Sequence, residues 1–159
     1  KWQLFTAVFI AIVGVIFLFG KWRGIFSDYD LSIREQRPKM FLLLIILSIT
    51  YLLITVFFKG IYFPISVITF GVCVAIVTFA IINYRIKISW HVSVACAFVF
   101  TMTSLYDITA FWLTIGIVPL TVWSRLYLKK HTVSEVLLGA FLGTMITALT
   151  YYVGRLVIQ

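Results

Sequence analysis

The sequence predicts an all-α integral membrane protein, one domain over residues 1–159 built as a bundle of six transmembrane helices. Hydrophobic residues make up 63% of the chain and charged residues only 11%, too little polar surface for a soluble domain of this length. Six apolar runs account for most of it, at 2–19, 40–58, 61–82, 89–105, 108–123 and 133–158. None alternates apolar with polar residues as the strands of a membrane barrel do. Backbone groups in lipid must be hydrogen-bonded within their own segment, so each run is read as a helix.

The first run is too long for a signal-peptide core and no small-residue cleavage pattern follows it, so it is expected to remain as a helix. The second and third are joined only by Lys59-Gly60 and form a helical hairpin, with Pro64 in a first turn, where proline is tolerated. The fourth and fifth are short and are expected inside the bundle. Asp107, between them, is placed to cap the fifth, and Pro119 to kink it. The sixth carries Gly139 and Gly143, a small-xxx-small face suited to close helix packing. Cys73 and Cys96 lie within apolar runs and read as small buried residues rather than a disulfide or a metal pair.

If each run crosses once, the polar connections at 20–39, 83–87 and 124–132 all fall on one membrane face. That face collects ten of the thirteen basic residues, both histidines, and Asp28, Asp30, Glu35 and Glu135; the other holds Lys1, Lys59, Arg155 and Asp107. The net charge of +8 calls for an anionic partner, and in so apolar a chain lipid headgroups fit better than nucleic acid. Retention of basic loops in the cytoplasm explains excess positive charge in general. It does not explain two histidines at one end, each where a helix begins.

Three segments carry candidate chemistry. In Ser124-Arg125…His131…Glu135 the carboxylate follows the histidine by four residues and can share its helical face. It can then fix the imidazole tautomer and leave the other nitrogen free to attack. Arg125 offers a planar fork to phosphate oxygens. The same stretch, Thr132-Val133-Ser134-Glu135, equally fits a plain capping box. In Lys87-Ile88-Ser89-Trp90-His91 a cation, a hydroxyl, helix-start amides and a histidine fall within five residues; an interfacial Lys and Trp belt accounts for it as well. In Arg34-Glu35-Gln36-Arg37-Pro38 two arginines lie three apart, and Pro38 is expected to end the segment and bias Arg37 to extended backbone. A solvated basic loop has the same look.

Together the three segments resemble the type 2 phosphatidic acid phosphatase (PAP2) superfamily, whose motifs read Lys-x6-Arg-Pro, Pro-Ser-Gly-His and Ser-Arg-x5-His-x3-Asp. Ser124-Arg125, His131 and Glu135 match the third in spacing. Ile88-Ser89-Trp90-His91 keeps the Ser and His of the second, and Arg37-Pro38 keeps the end of the first. Asp30 stands at the position of the family's first Lys, Trp90 at its Gly and Glu135 at its Asp. The Lys-Ile-Ser-x-His wording resembles one particular branch of that superfamily.

The resemblance implies the helical core of the acid phosphatases and haloperoxidases, and a metal-independent, cofactor-free phosphatase working through a phosphohistidine. His131 is then the nucleophile, Glu135 its orienting partner and His91 the acid that becomes the base. Arg125, Arg37, Arg34, Lys87, Ser89 and the Trp90 amide hold phosphate oxygens. The implied partner is a lipid phosphate in a multi-pass cell-membrane protein. An isoprenyl phosphate or diphosphate is favoured ahead of phosphatidate or phosphatidylglycerol phosphate. A phosphotransferase using the same histidine and a non-catalytic lipid-binding protein remain as alternatives. The enzyme reading requires His91, His131, Arg125 and Arg37 to surround one anion-sized pocket.

Overall fold

A computed structural model describes residues 2–25 and 36–158, and the expectations for Asp28, Asp30, Arg34 and Glu35 fall outside them. The described residues form seven helices and no strand: α1 (Trp2–Trp22), α2 (Arg37–Lys59), α3 (Pro64–Arg85), α4 (Trp90–Leu105), α5 (Ile108–Thr114), α6 (Ile117–Tyr127) and α7 (Val133–Ile158). Five stretches are long and apolar enough to cross a membrane, namely α1, α2, α3, the α5–α6 pair and α7. The chain is a membrane protein on that ground. The remaining predicted run, α4, has 16 residues, a rise of about 24 Å, and is shorter than the roughly 20 residues a crossing ordinarily takes.

Two local features follow from proline. Pro38 does not end a segment as expected. It stands in the first turn of α2, and Arg37 is the first helical residue instead of an extended one. The ring has no N–H, and a first-turn N–H would have found no partner anyway, so the helix starts there without cost. Pro119 breaks the fifth run into two. Lacking an N–H, it leaves the Ile115 carbonyl without its i+4 donor, and Val118 N–H bonds that carbonyl at 3.1 Å in a tighter turn. Asp107 caps α5 as expected, its carboxylate accepting Thr109 N–H at 2.7 Å and Ala110 N–H at 3.3 Å.

The helices pair by local packing. The Thr6 hydroxyl and the Tyr51 phenol share a hydrogen bond of 2.6 Å, and the Trp2 ring meets those of Phe58 and Phe63, which sets α1 antiparallel to α2. Gly60, at a φ of +86°, turns α2 back into α3. α7 runs parallel to α4, with Gly139 against Ser89, Gly143 against Ser93, and the Tyr151 hydroxyl donating to Ser104 O at 3.2 Å. It runs antiparallel to α3, Thr150 lying on Gly71 and Gly154 on Val67. A Cβ at Gly139 would stand 2.5 Å from Ser89 O, and one at Gly143 would run into Ser93 O. The small-residue face therefore does what the sequence predicts: it lets two backbones touch.

The buried cluster of Phe41, Ile76, Phe79 and Ile88 lies beneath one rim of the bundle, while apolar residues such as Leu53 and Leu137 face outward. At that rim α2, α4 and α7 begin and α3 and α6 end.

The α4–α7 contact gives a first prediction. Gly143→Leu should lower the melting temperature of the purified protein in detergent, since overpacking a filled site costs roughly 1–3 kcal/mol. Gly14→Leu serves as the control, because a Cβ there meets nothing within 4 Å. Equal effects of the two changes would remove the packing role assigned to Gly143.

Candidate functional site

The start of α7 is built around one carboxylate. Glu135 Oε2 lies 2.9 Å from His131 Nδ1 and also accepts Thr132 N–H at 3.1 Å, while Thr132 Oγ1 accepts Glu135 N–H at 3.4 Å. The two sequence readings of Glu135, helix cap and imidazole partner, are one arrangement. The capping box fixes the carboxylate, and the fixed carboxylate fixes the ring. With Nδ1–H donating to Glu135, Nε2 carries the lone pair.

The start of α4 is tied to this corner three times. Ser89 N–H donates to Glu135 O at 3.2 Å. Lys87 Nζ donates to the Lys130 carbonyl, binding the turn after α3 to the loop before α7. Gly139 brings its backbone against Ser89 O. The turn itself is held from below by Asn83, whose Oδ1 accepts Ile88 N–H at 3.1 Å and whose Nδ2 donates to Phe79 O at 3.1 Å.

Beside these ties lies a half-open chamber of about 120 Å³ lined by residues that include Arg37, Asn83, Lys87, Trp90, His91 and His131. Three polar segments distant in sequence thus meet at one rim: the start of α2, the turn into α4 and the loop into α7. Of the predicted site residues, Arg37, Lys87, Trp90, His91 and His131 line the chamber. Glu135 stands behind His131. Ser89 is fully buried, and its Oγ has no hydrogen-bond partner among the described residues. Arg125, in the last turn of α6, is half-buried and does not line the chamber. The pocket of four is therefore met by His91, His131 and Arg37, and Arg125 stands outside it. Arg34 lies outside the described residues. Among the described residues no three His, Cys, Asp or Glu side chains come together as a metal-ligand set.

Asn83 is the residue that sequence reasoning overlooked, treating it only as the edge of a loop. Its signal was a lone carboxamide in the last turn of an apolar helix, four residues before Lys87. A buried amide of that kind has to be hydrogen-bonded to something structural or to a ligand.

Burial is the largest influence on His131 and pushes its imidazole below the ordinary value of 6.5; the Glu135 hydrogen bond pulls upward, and the positive charges of Lys87 and His91 push down again. The neutral ring is therefore the resting form at neutral pH and persists somewhat below pH 6.5. With only two histidines in the chain, a titration of the ¹⁵N-histidine-labelled protein in detergent, assigned with His91→Asn, reads this directly. His131 should titrate below 6.5, and lower still in Glu135→Gln, which removes the upward influence. A midpoint at or above 6.5 would contradict the burial of the ring.

A family model described as the PAP2 superfamily matches residues 87–158, a little under half of the chain, and the match takes in the segments around His91 and His131. No curated protein and no solved structure gives a match. The family match points to phosphatase-type chemistry.

Proposed function

We propose that this chain is a membrane-embedded, metal-independent phosphatase that hydrolyses lipid phosphates through a phosphohistidine at His131. The observation that carries this reading is His131 held by Glu135 against a chamber of about 120 Å³ shared with Arg37, Lys87 and His91. That space admits several water-sized groups, the scale of a phosphoryl group. Two cations line it, and the start of α4, whose amides favour anions, lies beside it.

The chemistry follows from the geometry. Neutral Nε2 of His131 attacks phosphorus in line, forming the P–N bond as the P–O bond to the lipid breaks. The leaving oxygen takes a proton from the His91 imidazolium. Charge grows on the equatorial oxygens, where Arg37, Lys87, the Ser89 hydroxyl and the Trp90 amide hold them. A bound anion gives the buried Ser89 Oγ the acceptor it lacks. Glu135 steadies the imidazolium that His131 becomes. Water then attacks phosphorus, His91 now takes its proton, the P–N bond breaks and phosphate leaves. The family resemblance also implies a phosphate-holding role for Arg125, from outside the chamber, and for Arg34.

The opposite demands on the two imidazoles fit their surroundings. His131 is buried, at 10% side-chain exposure, and held neutral, while His91 is exposed. The substrate's chain lies in the bilayer, an isoprenyl phosphate or diphosphate first and phosphatidate or phosphatidylglycerol phosphate next. α4 counts as a sixth, shorter crossing, because it runs parallel to α7 from the motif rim to Ser104 beside Tyr151. The Lys87-to-His91 wording supports the Lys-Ile-Ser-x-His branch, and on this reading the protein is a multi-pass protein of the cell membrane.

A panel of lipid phosphates tests the reading. The parent protein should release phosphate without added metal, and His131→Ala should lower the rate by at least about a thousandfold, the range for losing a covalent nucleophile. Acid-labile, base-stable ³²P label on the protein should disappear with the same change. Release that depends on an added alcohol acceptor would make the protein a phosphotransferase, and no release from any lipid would end the enzyme reading.

A further inference from the structure

The chamber has two apolar neighbours, and their connections to it differ. A groove of about 620 Å³ runs between α2 and α3 and shares Arg37, Phe41 and Asn83 with the chamber. A second groove of about 290 Å³ lies among α3, α4 and α7 and shares only Trp90 with it.

The first groove is open at its mouth and closed at its back. Leu42 and Tyr84, at the mouth, are 60% and 69% exposed, whereas Phe41 and Asn83, at the back, are 8% exposed each. Arg37, Phe41 and Ile45 follow one another at four-residue steps and share one face of α2. The groove thus descends from the cationic rim by about 12 Å along the helix axis. It passes from a guanidinium through a carboxamide to aliphatic wall, the same order as a phosphate, its ester oxygen and a hydrocarbon chain. The Asn83 side chain stands at the turning point.

The second groove is walled off. The Trp90 indole lies between it and the chamber, packed edge-on against Phe79 at 4.9 Å and against Phe41 at 6.3 Å. The wall is made by the very residue that stands where the PAP2 motif has Gly.

We propose that the α2–α3 groove is the seat of the substrate's single hydrocarbon chain, entered sideways from the bilayer over Leu42 and Tyr84. Trp90 denies a second chain the groove on the other side. The inference rests on the lipid phosphatase reading and narrows it to lipids with one chain per phosphate, isoprenyl or single-acyl. Hydrophobic transfer does not favour the groove, since the chain leaves one apolar medium for another. The groove supplies position, bringing the ester oxygen to the chamber at a defined depth.

Two substitutions that narrow the groove test this. Ala80→Phe fills its wall, and Leu42→Trp covers its mouth at an exposed site that does not disturb the core. Ala97→Phe, in the second groove, is the control. Each is assayed with a long single-chain lipid phosphate, with phosphatidate and with soluble butyl phosphate.

Both α2–α3 variants should lose about tenfold to a hundredfold in kcat/KM on the long single-chain lipid, the range of an overpacking clash. They should keep the parent rate on butyl phosphate, and Ala97→Phe should keep both. In the parent, the long single-chain lipid should exceed phosphatidate by at least tenfold. Unchanged long-chain rates in Ala80→Phe and Leu42→Trp, loss in Ala97→Phe alone, or equal parent rates on one-chain and two-chain lipids would each overturn the inference. Absence of turnover on all three substrates by the parent would instead defeat the phosphatase reading itself.

Discussion

Between α4 and α7 there is no water to expel, because lipid is as apolar as the helix faces it would replace. Close contact there has to come from dispersion and from backbones that approach within hydrogen-bonding reach. Gly139 and Gly143 supply that approach by having no Cβ to hold Ser89 and Ser93 away. Once the backbones touch, Ser89 N–H reaches Glu135 O and Lys87 reaches the Lys130 carbonyl. The chamber is a by-product of that seam. Of its two histidines, His91 sits on α4 and His131 in the loop that leads into α7, so the α4–α7 contact brings them to one chamber.

On this frame the electrostatics divide the labour. A cap that any helix would accept also holds the His131 ring by its Nδ1. Burial then keeps that ring neutral against a neighbouring carboxylate that favours its charged form. His91, which lines the same chamber, is exposed.

Much of this was legible in the sequence. Composition and run length gave the helical membrane class, and the four-residue interval between His131 and Glu135 gave their contact. The Gly139–Gly143 interval gave a close packing face. Parity brought the polar connections to one rim. Other features depended on information that local pattern does not hold. Pro38 was read as a stop because the residue before a proline is biased away from helix, but a first-turn proline obeys the same sterics and starts one. Six crossings were expected, whereas five stretches have the length and α4 falls short. Asn83 escaped notice because a carboxamide near a helix end looks like a boundary until the Ile88 N–H is seen to land on it. That Arg125 is not among the chamber's lining residues depends on how α6 packs in the bundle, which no spacing encodes.

The break at Ile115 and Gly116 makes α5 and α6 two rods that meet at a joint, with Pro119 just beyond it. Arg125 rides about ten residues out on the second rod, an arm of about 15 Å. A tilt of roughly ten degrees at such a joint displaces the far end by about 3 Å, close to the length of a hydrogen bond. Where the arginine's guanidinium falls is therefore sensitive to small changes of direction at the break, ten residues away.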